Sequence, residues 1–249
     1  MSHFVVMVIG DNPEEQLERY HACIYVEEEE IGFVSEEDKQ DMINFYIKGE
    51  WDHCRLGGRW SGRFIRLKPG ASGTIGEPDA FNNEAGCDAA KKRDIDFDSI
   101  FREAKKNAIR KYQRIMENCK GQIPHLKIYW RTFFYSKEYA HLSLIEKINL
   151  YNDQNSVKLW HALNKQIPLN DLSLEEFQYT EEEYAERSVI NAFIPFAFIH
   201  EGEWYKQGDF SWSGINLSEN SNDKWQKKVW DLVNSLSDDT LISFYDCHI

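Results

Sequence analysis

The spacing of hydrophobic residues predicts where the strands and helices of this chain lie. An apolar run at 3–9 is closed by the turn-forming residues at 10–13, a pattern typical of a buried strand. Between 97 and 119, apolar residues recur every three or four positions, and lysines and arginines occupy the opposite face. This periodicity predicts a long amphipathic helix.

Shorter elements are predicted from caps, apolar stripes and turn residues. Further helices are predicted at 35–46, 142–150, 157–163, 180–189 and 223–236. Further strands are predicted at 64–67, 127–135, 191–200, 204–206 and 240–245. Of these, the helix at 180–189 has the clearest start, because Thr180 and Glu183 match the pattern of a capping box.

The order of these elements predicts an α+β fold with a mixed or antiparallel sheet. A hairpin at 191–206 interrupts any strict β-α-β repeat, so a doubly wound α/β fold is disfavoured. We expect one domain over 1–249, possibly with a ferredoxin-like core built from its first and last parts. The middle, about 125–172, would then be a helical insertion.

Charge and cysteine content narrow the classes of function. The 249 residues carry 29 Lys and Arg against 42 Asp and Glu, a formal net charge of −13. We therefore expect no broad binding to nucleic-acid backbones, and either a solvated acidic surface or a basic partner. The five cysteines include no C-x-x-C pair, which predicts reduced, inert thiols in a cytoplasm. No apolar run reaches membrane-spanning length, so no membrane association is expected.

A glycine-rich run is the first candidate site. Its residues are Trp51, Asp52, Gly57, Gly58, Arg59 and Trp60. The spacing fits neither the P-loop nor the dinucleotide-binding pattern. Paired glycines nevertheless let a backbone approach a ligand closely, a guanidinium can grip phosphate or carboxylate, and indoles can stack on a base. The alternative is a tight turn with the tryptophans in the core and Arg59 paired to Asp52.

The second candidate is the pair Asp246 and His248, which follows an apolar strand. Alternation along a strand places both side chains on one face. A carboxylate beside an imidazole suits general acid–base chemistry or metal binding, with Asp52, His53 or His200 as the third group. The alternative is a pair of structural hydrogen bonds. We predict no metal, and the sequence identifies no cofactor.

An aromatic hairpin is the third candidate. Trp204 and Trp212 stand near Tyr205, Gly208 and Phe210. Such a density of rings could form a stacking platform for a ligand. The alternative is packing in the core against the helix predicted from 223.

Several stretches together resemble a family of uncharacterised proteins encoded by bacteriophages and prophages. They are Met-Ser-His-Phe at 1–4, Ile-Gly-Asp-Asn-Pro-Glu-Glu at 9–15, Gly-Gly-Arg-Trp at 57–60, Asp-Ile-Asp-Phe at 94–97 and Asp-Cys-His-Ile at 246–249. The family usually has W-D-W-Y-x-x-G-G-R-W, and here His53 and Cys54 follow Asp52. The resemblance implies a phage setting in the host cytoplasm and no particular reaction.

Three functions follow as hypotheses. The first is a binding or inhibitory protein that counters a bacterial defence system, by sequestering a small nucleotide signal or by blocking a host defence protein. The second is a hydrolase or nucleotide-modifying enzyme that uses Asp246 and His248 with Asp52 or Arg59. The third is a structural protein associated with the virion.

Overall fold

The computed structural model describes residues 3–21, 50–79, 85–130, 132–164, 173–208 and 222–248. The chain divides into two compact units. The sheet unit comprises Met1–Ile100 with Asn191–Ile249, and the helical unit comprises Phe101–Ile190. The helix predicted at 35–46 lies outside the described residues. A single domain with an insertion at about 125–172 stays a prediction.

The described elements follow in chain order. The strands are β1 (His3–Ile9), β2 (His53–Gly58), β3 (Glu77–Pro78), β4 (Ala89–Lys91), β5 (Ala197–His200), β6 (Glu203–Lys206) and β7 (Leu241–His248). The α-helices are α1 (Pro13–Glu18), α2 (Phe97–Asn118), α3 (Thr132–Tyr135), α4 (Leu144–Asp153), α5 (Asn155–Leu163), α6 (Glu181–Asn191) and α7 (Asn222–Ser235). Among the described helices, none is long and apolar enough to cross a membrane.

The strands of the sheet unit form one mixed sheet, which confirms the predicted α+β class. Their order is β3-β2-β7-β1-β5-β6, and β4 also pairs with β7. Strand β1 runs antiparallel to β7 and parallel to β5. Strands β1 and β5 are direct neighbours in the sheet. In the split β-α-β unit of a ferredoxin-like core, another strand lies between the two parallel strands, and no strand lies between β1 and β5 here.

Strand β1 is central because its apolar run needs cover on both faces. One face of the sheet carries an apolar cluster that includes Val6, Val8 and Cys247. On the other face, Met7 is fully buried and Phe244 stacks on Phe64 with ring centroids 4.5 Å apart. Burial of both faces explains why the sequence showed continuous apolar residues here and no alternation.

The helical unit packs around one apolar cluster. Its fully buried side chains include Trp160 and Phe177, whose ring centroids lie 5.1 Å apart. The predicted helices at 97–119, 142–150, 157–163 and 180–189 are confirmed within a few residues. The capping box predicted at Thr180 is present, because the Glu183 amide donates to the Thr180 hydroxyl at 3.2 Å and Glu183 accepts from the Thr180 amide at 2.8 Å.

The strand predicted at 127–135 is wrong. The segment ends in the short helix α3, and glutamine side chains bind the extended part where a neighbouring strand would. The side chain of Gln154 accepts from the Ile128 amide at 2.9 Å and donates to the Ile128 carbonyl at 3.0 Å. Gln178 likewise accepts from the Leu126 amide at 2.9 Å. The backbone hydrogen bonds of these β-forming residues are thus made to side chains, and no sheet is needed.

Two other strand predictions need correction. At 64–67, Ile65 and Leu67 make only isolated bridges, to Cys87 and Ile95 respectively. At 191–200, helix α6 continues to Asn191 and the strand covers only 197–200. Residues at both sites are buried by packing, and an apolar run alone does not specify a ladder of backbone hydrogen bonds.

A disulfide joins the two strands that meet at the candidate site. Cys54 on β2 and Cys247 on β7 lie directly opposite each other and are bonded, with Cα atoms 4.2 Å apart. The prediction that all cysteines are reduced is therefore wrong for this pair. Cys87 and Cys119 are free and buried, and burial raises the pKa of the Cys87 thiol to about 11.

We expect the disulfide to be detectable and stabilising. The protein is denatured without reductant, alkylated and then digested. Peptides that contain Cys87 and Cys119 should carry the alkyl label, whereas those that contain Cys54 and Cys247 should not. Because the bond closes a span of 193 residues, reduction should lower the free energy of unfolding by about 2–4 kcal/mol.

A double variant, Cys54→Ala with Cys247→Ala, is the control for that measurement. Reductant should leave its free energy of unfolding unchanged. Labelling of all four peptides in the wild-type protein would contradict the assignment of the bond.

Candidate functional site

Polar side chains gather at one end of the sheet, where β1 begins, β7 ends and β2 begins. In the register of these strands, His248 lies opposite His3 on one side and His53 on the other. Two residues earlier on β7, Asp246 lies opposite Arg55. Residues directly opposite on neighbouring strands share a face, so these five side chains lie on one face of the sheet.

Asp246 is the buried centre of this group, with a side chain only 1% exposed. One carboxylate oxygen lies 2.8 Å from Nδ1 of His3. The other accepts from the backbone amide of Arg59 at 3.0 Å, and the Arg55 guanidinium lies 3.8 Å from it. A buried carboxylate with an imidazole, an amide and a guanidinium around it is compensated rather than orphaned.

The Gly-Gly pair makes these contacts possible. Gly58 has φ +52°, and a Cβ there would lie 2.4 Å from the Cβ of Asp246. Gly57 has φ +77°, and its Cβ would lie 2.4 Å from a carboxylate oxygen of Asp88. The two glycines therefore admit two carboxylates of the protein itself to the backbone of this turn. Ligand binding by Gly57 and Gly58 stays a prediction.

Asp88 is the second buried carboxylate and is 1% exposed. It accepts from the Ser61 hydroxyl at 2.7 Å and from the backbone amides of Gly62 and Gly76 at 2.6 and 2.8 Å. These donors come from three positions along the irregular segment between β2 and β4. Asp88 thus fixes the turn that presents Arg59 and Trp60.

His248 belongs to a second carboxylate–imidazole pair. Its Nδ1 lies 2.7 Å from a carboxylate oxygen of Asp52. The rings of His3 and His248 meet edge to face, with centroids 4.8 Å apart. An ionised carboxylate can only accept a hydrogen bond, so in a bond to such a carboxylate each imidazole would donate from Nδ1.

Two arginines and one carboxylate lie beside these pairs. The Arg55 guanidinium is bonded to Asp79, and Nε of Arg59 lies 3.8 Å from the other oxygen of Asp79. The alternative that Arg59 pairs with Asp52 is wrong, because Asp79 is its neighbour and Asp52 pairs with His248. The Arg59 side chain is 55% exposed.

The tryptophans do not all join this group. Trp51 and Trp204 pack against the apolar cluster on the face of Cys247, which is opposite to the face of Asp246. The Trp51 indole donates to the carbonyl of Leu17 at 3.1 Å. Trp60 is half-buried in the turn, and Trp212 lies outside the described residues.

Of the three groups considered as a third member beside Asp246 and His248, Asp52 lies within hydrogen-bond distance of His248. His53 is exposed on the neighbouring strand, and His200 lies at the far end of the sheet, beyond the position where β5 pairs with Val8. Within the part of the chain that the structure describes, no group of three or more His, Cys, Asp or Glu side chains could hold a metal ion.

Sequence reasoning missed His3 and Arg55 as site residues. His3 falls within the apolar run at 3–9, and Arg55 falls between the candidate residues Asp52 and Gly57 without being one of them. The signal for both is alternation: His3 begins β1, and Arg55 is two residues from His53 on β2. Their roles depend on which strands pair with β7, and alternation within one strand does not give that.

Comparisons of the chain with protein-family models, curated proteins and solved structures return no match. The resemblance to phage-encoded proteins therefore stays a prediction.

Replacing Gly58 tests the close approach of Asp246. Gly58→Ala should lower the free energy of unfolding by at least about 3 kcal/mol, because the new Cβ collides with a buried carboxylate. Gly70→Ala is the matched control, since Gly70 also has positive φ (+82°) but nothing within 4 Å. It should lose only about 1–2 kcal/mol from backbone strain.

Urea denaturation of both variants measures the difference. Equal losses in Gly58→Ala and Gly70→Ala would show that Asp246 does not approach the turn.

Proposed function

We propose that this chain is an acid–base enzyme of the hydrolase or nucleotide-modifying class. The observation that supports this proposal is the pair of carboxylate-held imidazoles, His3 with Asp246 and His248 with Asp52, whose rings lie 4.8 Å apart. Two adjacent histidines can serve as one base and one acid in the same reaction.

Each imidazole in the proposed mechanism is prepared by its carboxylate. With the proton fixed on Nδ1, Nε2 of one ring accepts a proton from water or from a substrate hydroxyl. The other ring, as an imidazolium, donates a proton to the leaving oxygen. Asp246 and Asp52 hold the tautomers and stabilise the positive rings, which is the role a carboxylate has beside a catalytic histidine.

Arg59 would bind an anionic group of the substrate. Its side chain is more than half exposed, although Asp79 lies 3.8 Å from Nε. Guanidinium groups bind phosphate through parallel hydrogen bonds. The backbone amide of Arg59 donates to Asp246, so binding at the side chain is coupled to the carboxylate that holds His3.

A second candidate is a protein that sequesters a nucleotide signal without turning it over, in the host cytoplasm of a phage infection. Its support is the exposed guanidinium of Arg59 beside the half-buried Trp60, because an arginine and an indole together suit a phosphate and a base. Binding of this kind needs no proton transfer by the histidines.

Turnover of a panel of phosphate esters, including linear and cyclic nucleotides, separates the two candidates. If the chain is an enzyme, His3→Gln and His248→Gln should each lower the rate of hydrolysis about 10²–10⁴-fold. The control His200→Gln should leave the rate unchanged. The wild-type rate should show a bell-shaped dependence on pH, because one imidazole acts neutral and the other charged.

A thermal shift with the same compounds completes this test. A compound that raises the melting temperature of the wild type but not of Arg59→Gln, without being turned over, would favour sequestration. Full activity in both His3→Gln and His248→Gln would contradict acid–base catalysis by these histidines.

A further inference from the structure

Only one of the two units of this protein has a net negative charge. The helical unit, 101–190, contains fourteen Lys and Arg against twelve Asp and Glu, a net charge of +2. The sheet unit contains fifteen against thirty, a net charge of −15. The expectation that this acidic chain does not bind nucleic-acid backbones depends on the net charge of the whole chain. That net charge does not describe the helical unit, which is slightly positive.

Helix α2 carries a regular row of cations on its outer side. Arg102, Lys106, Arg110 and Arg114 recur at intervals of four, and all four are exposed. Residues four apart lie one above the other on a helix, and twelve residues at 1.5 Å each extend the row over about 18 Å. We call these four residues the α2 basic row.

The orientation of the row is fixed by the core on the other side of the helix. Ala108, Tyr112 and Ile115 are buried in the apolar cluster of the helical unit. The row therefore faces away from that cluster and toward solvent.

None of the four cations forms an ion pair with a described residue. Elsewhere in the described structure exposed cations do find acids: Lys91 and Arg93 pair with Asp239, and Lys227 pairs with Asp231. Only two acids, Glu103 and Glu117, fall within 102–120, against seven Lys and Arg. Both glutamates lie on the same side of the helix, three residues from Lys106 and from Arg114, so four cations against two acids leave the face of the row with a net positive charge.

We propose that the α2 basic row binds the phosphate backbone of a nucleic acid. Three of its four positions are arginine, whose planar guanidinium matches phosphate oxygens. A row of evenly spaced cations along one helix suits a linear polyanion.

The row fits a protein partner less well. Protein interfaces have an apolar core with a polar rim. The large apolar side chains exposed in the helical unit include Ile145, Ile148 and Leu159, which lie on α4 and α5; none of those exposed belongs to the described helix α2. Contacts between cations and phosphates hold a nucleic acid in place without reading its bases. Binding should therefore be independent of the nucleotide sequence.

Fluorescence anisotropy of labelled single- and double-stranded DNA of mixed sequence tests the proposal with the intact chain. Lowering salt from about 200 to 50 mM should tighten binding by about two orders of magnitude, as expected for about four phosphate contacts. Replacing Arg102, Lys106, Arg110 and Arg114 together by Gln should weaken binding at least about tenfold and reduce the salt slope by about 3 to 4.

Glutamine preserves helix propensity at exposed positions, and circular dichroism would show that the variant is folded. The matched control replaces Lys91, Arg93, Lys224 and Lys227 by Gln, which removes the same charge from exposed positions outside α2. It should bind DNA as the wild type does.

Three outcomes would overturn the proposal: no binding by the wild type at low salt, an equal loss in the control variant, or binding of polyglutamate as tight as that of DNA. The last outcome would favour an acidic protein as the partner. Because the row and the candidate catalytic site belong to different units, loss of DNA binding and loss of hydrolysis are measured in separate variants.

Discussion

One buried carboxylate organises the functional end of the sheet. Asp246 lies on the central antiparallel pair of strands and contacts His3, the backbone of Arg59 and the guanidinium of Arg55. A buried charge is tolerated only where hydrogen bonds and opposite charge surround it. The requirement to satisfy Asp246 therefore brings together β1, β2, β7 and the glycine-rich turn.

This requirement gives the Gly-Gly-Arg-Trp run a structural meaning. Its glycines leave room for Asp246 and Asp88, and the next amide caps Asp246. The turn is thus held by two carboxylates at its base while the Arg59 side chain extends into solvent. A rigid base with an exposed cation suits binding of an anion next to the two imidazoles.

The site joins groups of different accessibility. Asp246 is buried, the side chains of His3 and His248 are 20% and 14% exposed, and Asp52 is 37% exposed. The disulfide between Cys54 and Cys247 lies between the row of histidines and the row of Asp246 with Arg55, on the opposite face. It links β7, which carries Asp246 and His248, to β2, which begins one residue after Asp52, and this favours a fixed position of His248 beside Asp52.

Local patterns in the sequence predicted those features that depend on neighbours along the chain. The period of α2, the capping box at Thr180 and the shared face of Asp246 and His248 are of this kind. Features that depend on pairing between distant segments could not be predicted in the same way. His3 and Arg55 reach Asp246 through strand register, and the segment at 127–135 is bound by glutamine side chains instead of a strand.

The central claim is that Asp246 holds His3 by its Nδ1 proton. A long-range proton–nitrogen NMR spectrum of the imidazoles, recorded for the wild type and for Asp246→Asn, measures this directly. The account predicts that His3 and His248 both carry the proton on Nδ1 in the wild type, and that the variant changes only His3. A wild-type His3 protonated on Nε2, or a His3 signal unchanged by the substitution, would contradict it.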